Sequence, residues 1–78
     1  MLPSEINDKV KEIFLECFPE LKSVTGTEEI NDIGGWDSLG HVRLITLIET
    51  EFAIKIPFDR YGKLQSFSSI VNFLIINF

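Results

Sequence analysis

The sequence predicts an all-α protein, a small antiparallel bundle of three main helices plus one short helix, with a long first loop. Three observations carry that expectation. Apolar residues recur at helical spacings in three separate stretches. Turn-forming residues concentrate between those stretches, most densely at 19–36. The 78 residues suit one domain, 1–78, with one small core, for which the radius of gyration should be about 11 to 12 Å.

The first helix starts after Pro3 and Ser4, where Ile6, Val10, Ile13, Phe14 and Cys17 share one face, and Pro19 stops it. Glu5, Asp8, Lys9, Lys11, Glu12 and Glu16 decorate the other side as a solvated face. The segment 19–36 carries Ser23, Thr25, Gly26, Thr27, Asn31, Gly34 and Gly35, which favour turns over helix interior. A loop this long needs a reason. Here Val24, Ile30, Ile33 and Trp36 are spaced to fold back as apolar pins.

The second helix runs from about Ser38 to Phe52 with Asp37 as its N-cap. Leu44, Ile48 and Phe52 line one stripe, flanked by Ile45 and Leu47, whereas Leu39, Val42 and Thr46 lie nearly opposite. A short helix or turn follows Pro57, holding Phe58, Asp59, Arg60 and Tyr61 and closing at Gly62. Ser66 caps the last helix, with Phe67, Ile70, Val71, Leu74 and Phe78 on its core face and Phe73 and Ile76 turned away. Tyr61, Phe58 and Phe73 are expected to pack rather than to bind.

Composition narrows the function. Twelve acidic against seven basic side chains give a net charge of -5, a repulsive background for phosphate backbones, so no nucleic acid is expected as a partner. One cysteine and one histidine give neither an internal disulfide nor a Cys/His zinc set. Cys17 reads as a small hydrophobe on the first helix. The start of the chain lacks a basic region followed by an apolar run, and the longest apolar stretch, 70–76, is broken by Asn72. The expectation is a cytoplasmic protein with no membrane insertion, and a core this small favours a binding or carrying module over an enzyme.

The informative segment is Gly34-Gly35-Trp36-Asp37-Ser38-Leu39-Gly40. It delivers a serine hydroxyl to the first turn of the longest helix, where unpaired amides and the positive end of the dipole favour an anion such as a phosphodiester. Gly34 and Gly35 add no side chains and would let a partner's backbone come close. Read alone, Asp37 and Ser38 are an ordinary helix start. A serine hydrolase is disfavoured, because Trp36 stands where the first glycine of a Gly-x-Ser-x-Gly elbow belongs. His41, one turn after Ser38, has no evident orienting carboxylate.

The whole order of landmarks resembles the acyl carrier protein family of phosphopantetheine-binding carriers: a first helix, a long loop, Asp37-Ser38-Leu39 opening the second helix, Glu49-Thr50-Glu51-Phe52, Ile54-Lys55-Ile56-Pro57, then Ser66-Phe67-Ser68-Ser69-Ile70-Val71. The resemblance implies that Ser38, flanked by Asp37 and Leu39, takes a 4'-phosphopantetheine arm from coenzyme A through a phosphopantetheinyl transferase. The arm's thiol would then carry acyl or aminoacyl groups as thioesters. The base for the transfer would belong to the transferase, so Ser38 is a modification site and not a catalytic residue.

The resemblance also implies a partner surface on the second helix, read here as Trp36, Leu39, Val42, Arg43, Thr46 and Glu49. Its users would be the transferase, a ligase that loads acyl or aminoacyl groups, and a downstream acyltransferase or synthase, each meeting a monomer. Gly40, His41 and Arg43 depart from the acidic surface common in the family, so Leu39, Val42 and Thr46 are expected to form a mainly apolar strip. Trp36 either pins the loop or meets a partner. Gly34-Gly35 is similar to peptidyl carriers and Asp37 to acyl carriers, which suggests a discrete, specialised carrier in lipid, polysaccharide or secondary-metabolite biosynthesis rather than the fatty-acid housekeeping one. Leu44, Leu47, Ile48, Tyr61 and Leu64 are candidates to line a space for cargo. The alternative is an unmodified helical interaction module whose Asp37-Ser38 pair is only a cap.

Overall fold

Why the chain folds as it does begins with its helix starts, each with its own device. In the computed structural model, which describes all of Met1–Phe78, helix α1 covers Pro3–Cys17, with Pro3 in the first turn, where a missing N–H costs nothing. The Glu5 carboxylate accepts from the Leu2 N–H at 2.8 Å. Helix α2 covers Ser38–Phe52, and the Asp37 carboxylate caps it by accepting from the Gly40 N–H at 2.8 Å. Helix α3 covers Phe67–Asn77, with Ser66 and Ser69 bonding each other's backbone N–H in a reciprocal cap.

Two 3-10 segments complete the architecture. One, Ile30–Asp32, falls inside the long loop, where the sequence reading has only turns. The other, Phe58–Lys63, extends the short helix expected after Pro57 past Gly62. The Ile30 N–H donates to the Gln65 carbonyl at 2.9 Å and the Phe67 N–H to the Glu28 carbonyl at 2.8 Å, tying the loop to the start of α3. These bonds surround an isolated antiparallel bridge between Glu29 and Ser66. The radius of gyration is 11.3 Å, in keeping with the length.

Helix α1 packs on both α2 and α3. Its Phe14 sits at the centre of an aromatic cluster, edge-on to Trp36 at 5.1 Å and to Phe67 at 5.2 Å between ring centroids. One ring of α1 thus touches both the loop before α2 and the start of α3. Of the four expected loop pins, Ile33 and Trp36 are buried in the core, and Val24 and Ile30 pack against it half-buried. Burial raises the Cys17 thiol pKa, and its Sγ–H points at the Gly40 carbonyl, 3.9 Å away, so this cysteine is an inert part of the α1–α2 contact.

Three aromatic assignments need correction. Phe78 is exposed beyond the end of α3 and only leans on Phe52, because the helix ends one residue earlier. Phe73 is not turned away but packs half-buried against the core. Phe58, expected to pack, is 82% exposed and meets only the outer Tyr61 ring, at 5.1 Å between centroids, while Tyr61 is the ring of that segment that packs on the core.

Candidate functional site

Ser38 is exposed at the first position of α2. The Asp37 cap satisfies Gly40, and His41 N–H bonds the Asp37 carbonyl at 2.7 Å. The N–H groups of Ser38 and Leu39 donate to no protein acceptor, leaving two first-turn amides free beside the hydroxyl. No carboxylate or imidazole hydrogen-bonds the Ser38 hydroxyl; His41 and Asp37 are engaged with other partners.

The serine opens on a groove of about 430 Å³, whose sides come from α2, the end of the long loop and the second 3-10 segment. Trp36, Ser38, His41, Val42, Phe58 and Tyr61 are among the residues that line it. The space expected for cargo lies elsewhere in part. Leu44, Ile48 and Leu64 are buried in the core itself and Leu47 packs against it, so only Tyr61 of that set reaches the groove.

Two expectations about surface residues change. Trp36 is 2% exposed and does not belong to a contact surface; its indole pins the loop against Phe14 and Phe18. His41 does not bring charge to the surface either, being 6% exposed. Trp36 Nε1–H donates to His41 Nδ1 at 2.8 Å, and His41 Nε2 lies 2.8 Å from the Tyr61 carbonyl oxygen. An indole nitrogen only donates and a carbonyl only accepts, so Nδ1 is bare, Nε2 carries the proton and the ring is neutral. The position was visible at 300° around the helix from Ser38, beside Leu44 and Ile48, which is the signal that places it inside.

The outer face of α2 keeps most of its predicted members. Leu39 is 70% exposed, and Val42, Arg43 and Thr46 are exposed with it. Glu49 is half-buried and already engaged, accepting from the Ile56 N–H at 2.8 Å, which closes the turn after α2. Sequence reasoning missed the part played by Gly40. An added Cβ there would lie 2.1 Å from the Gly35 carbonyl oxygen, so only glycine lets the loop backbone cross the helix at this height. Gly35 is therefore spent on an internal contact, and of the pair Gly34 keeps open space around it.

An exposed serine at the head of a helix, beside a groove and two free amides, is the arrangement that the resemblance to carrier proteins leads one to expect. Comparisons with known proteins agree. No family model matches the chain. The D-alanyl carrier proteins of Streptococcus pyogenes serotypes M5 and M1 are each 40% identical over 58 residues, 74% of this chain and 73% of theirs. In fold, the chain is similar to a protein of Mycobacterium tuberculosis assigned as an acyl carrier protein, with a TM-score of 0.82 over 94% of this chain and 99% of that one at 22% identity. The chain belongs to the phosphopantetheine-binding carrier protein family.

Membership implies a covalent phosphopantetheine group. The residues present fit one: a free hydroxyl, two unpaired amides for a phosphodiester, and an adjoining groove. No helix is long and apolar enough to cross a membrane.

Proposed function

We propose that this protein carries acyl or aminoacyl groups as thioesters on a 4'-phosphopantetheine arm joined to Ser38. The observation that supports this is the setting of that hydroxyl, exposed at the first turn of α2 beside two free amides and the groove. In the transfer, Ser38 Oγ forms a bond to the pantetheine-bearing phosphorus of coenzyme A. The pyrophosphate bond to adenosine 3',5'-bisphosphate breaks, and the serine proton goes to a base of the transferase. When attached, the arm supplies a terminal thiol for thioester formation.

The chain's own residues present and shield. The Asp37 cap holds the first turn in shape, and the free N–H groups of Ser38 and Leu39 stabilise the phosphodiester anion. Leu39, Val42, Arg43 and Thr46 offer a surface to the transferase, the loading ligase and the downstream acyltransferase or synthase, with the protein acting as a monomer in the cytoplasm. The name of the streptococcal relatives supports a small aminoacyl cargo, and the closed packing of Leu44, Ile48 and Leu64 supports one that stays outside the core.

Incubation with coenzyme A and a broad-specificity phosphopantetheinyl transferase should add one phosphopantetheine by intact mass, and Ser38→Ala should abolish the addition. Failure of the native protein to gain that mass would leave the unmodified interaction module as the better reading.

A further inference from the structure

His41 is the buried polar side chain of this fold, and both its ring nitrogens are engaged. Its partners lie on two other segments: Trp36 in the loop just before Ser38, and Tyr61 on the second 3-10 segment. Trp36, His41 and Tyr61 all line the groove onto which Ser38 opens. A single imidazole therefore joins the three chain segments that border the attachment point. The Trp36 and His41 rings also lie 5.9 Å apart, tilted by 35°, and His41 meets Tyr61 edge-on at 6.3 Å, so the bridge is packed as well as hydrogen-bonded.

We infer that His41 is a positioning residue for the modification of Ser38, holding the loop and the opposite groove wall in register so that the hydroxyl is presented at a fixed height and the groove stays open to the arm. The inference rests on the carrier reading above. It follows from the chemistry of the bridge. Without the imidazole, the indole N–H and the Tyr61 carbonyl are left inside or beside the core unpaired, and each regains a partner only by moving toward water. Either movement displaces a segment that borders Ser38. The second 3-10 segment is the easier to move, because Phe58, Asp59 and Arg60 on it are exposed and no aromatic ring of the core holds it except through Tyr61.

The experiment uses two substitutions and the apo protein as varied substrate for arm transfer from coenzyme A. His41→Phe keeps a flat ring and removes both hydrogen bonds. His41→Gln keeps an acceptor and a donor on neighbouring atoms, and so can span Trp36 and Tyr61. Expected for His41→Phe is a fall in the transferase kcat of about three- to tenfold, the worth of one net hydrogen bond, with KM changed less than about twofold because Leu39 and Val42 still dock. His41→Gln should recover most of the native kcat. The indole N–H resonance of Trp36, the one tryptophan of the chain, should exchange faster with solvent in His41→Phe and stay protected in His41→Gln.

Native kcat in a folded His41→Phe, or equal losses in both variants, overturns the inference and leaves the carrier reading standing. Absence of transfer to the native protein overturns the carrier reading, and this inference with it. A third measurement needs no variant: the Trp36 indole and His41 ring resonances should shift when Ser38 gains its arm, and unchanged resonances would sink the bridge as a support for that site even where His41→Phe does not fold.

Discussion

The two ends of α2 are held by opposite means. At the Ser38 end the Trp36 indole donates to His41 in a buried bond, the Gly35 carbonyl rests against Gly40, and the exposed Asp37 caps the turn. At the Phe52 end the contacts are part-buried, exposed or strained. Ala53 takes the left-handed conformation with φ 54°, Glu49 closes the next turn, and Lys9 of α1 reaches across to Glu51 at 2.9 Å. The difference shows where position has to be exact to within a bond length. The Ser38 end rests on a buried side-chain hydrogen bond and a backbone approach that leaves no room for a Cβ at Gly40, whereas the far end relies on a part-buried turn and a solvent-exposed ion pair.

Three substitutions break or sharpen that contrast. Gly40→Ala should have the largest effect, because its Cβ meets backbone and not the tip of a side chain. Destabilisation of about 2 to 3 kcal/mol is expected in urea titration, with the loop before Ser38 displaced. An unchanged midpoint would mean the loop yields freely, and the contrast would be lost. Ala53→Gly should act in the other direction. A left-handed alanine costs about 1 to 2 kcal/mol, partly offset by the greater freedom of glycine when unfolded, so a gain of about 0.5 to 1 kcal/mol is expected.

Lys9→Met should matter least. The hydrogen bond and attraction to Glu51 raise the Lys9 pKa above its ordinary value, yet the pair is open to solvent. With the folded pKa raised, the contribution is present below the unfolded value of 10.5 and fades as pH rises through the higher folded one. The native protein and the variant should therefore give matching urea midpoints in high salt at neutral pH, and in any salt only above the raised Lys9 pKa. A difference that survives high salt would make the far end as specific as the near one.

Much of this was legible along the chain. The α2 boundaries, the Asp37 and Ser66 caps, and the exposure of Leu39, Val42 and Thr46 all follow from spacing and local hydrogen bonding, which act within one or two turns. The place of Ser38 at the first turn of α2 follows in the same way, whereas its reading as an attachment site comes from the resemblance of the whole order of landmarks to the carrier family. The first 3-10 segment was not read from the sequence although its Asp32-to-Glu29 bonds are local, and what lay beyond local reading is its docking, through bonds from Ile30 to Gln65 and from Phe67 to Glu28. Phe58 was misjudged because an aromatic ring next to a core looks the same in sequence whether it points in or out.

By itself the sequence determined the three helices, the Asp37 and Ser66 caps and the place of Ser38 at the head of α2, because each depends on neighbours within a few residues. Only the tertiary structure decided that Trp36 is buried rather than offered to partners, that His41 is a neutral bridge between a loop and a 3-10 turn, and that Gly40 is obligatory. Those three are settled by atoms brought together from α1, the long loop and the second 3-10 segment. Hydrogen-bond direction and steric clearance exist only between groups that the fold has already placed a few ångströms apart.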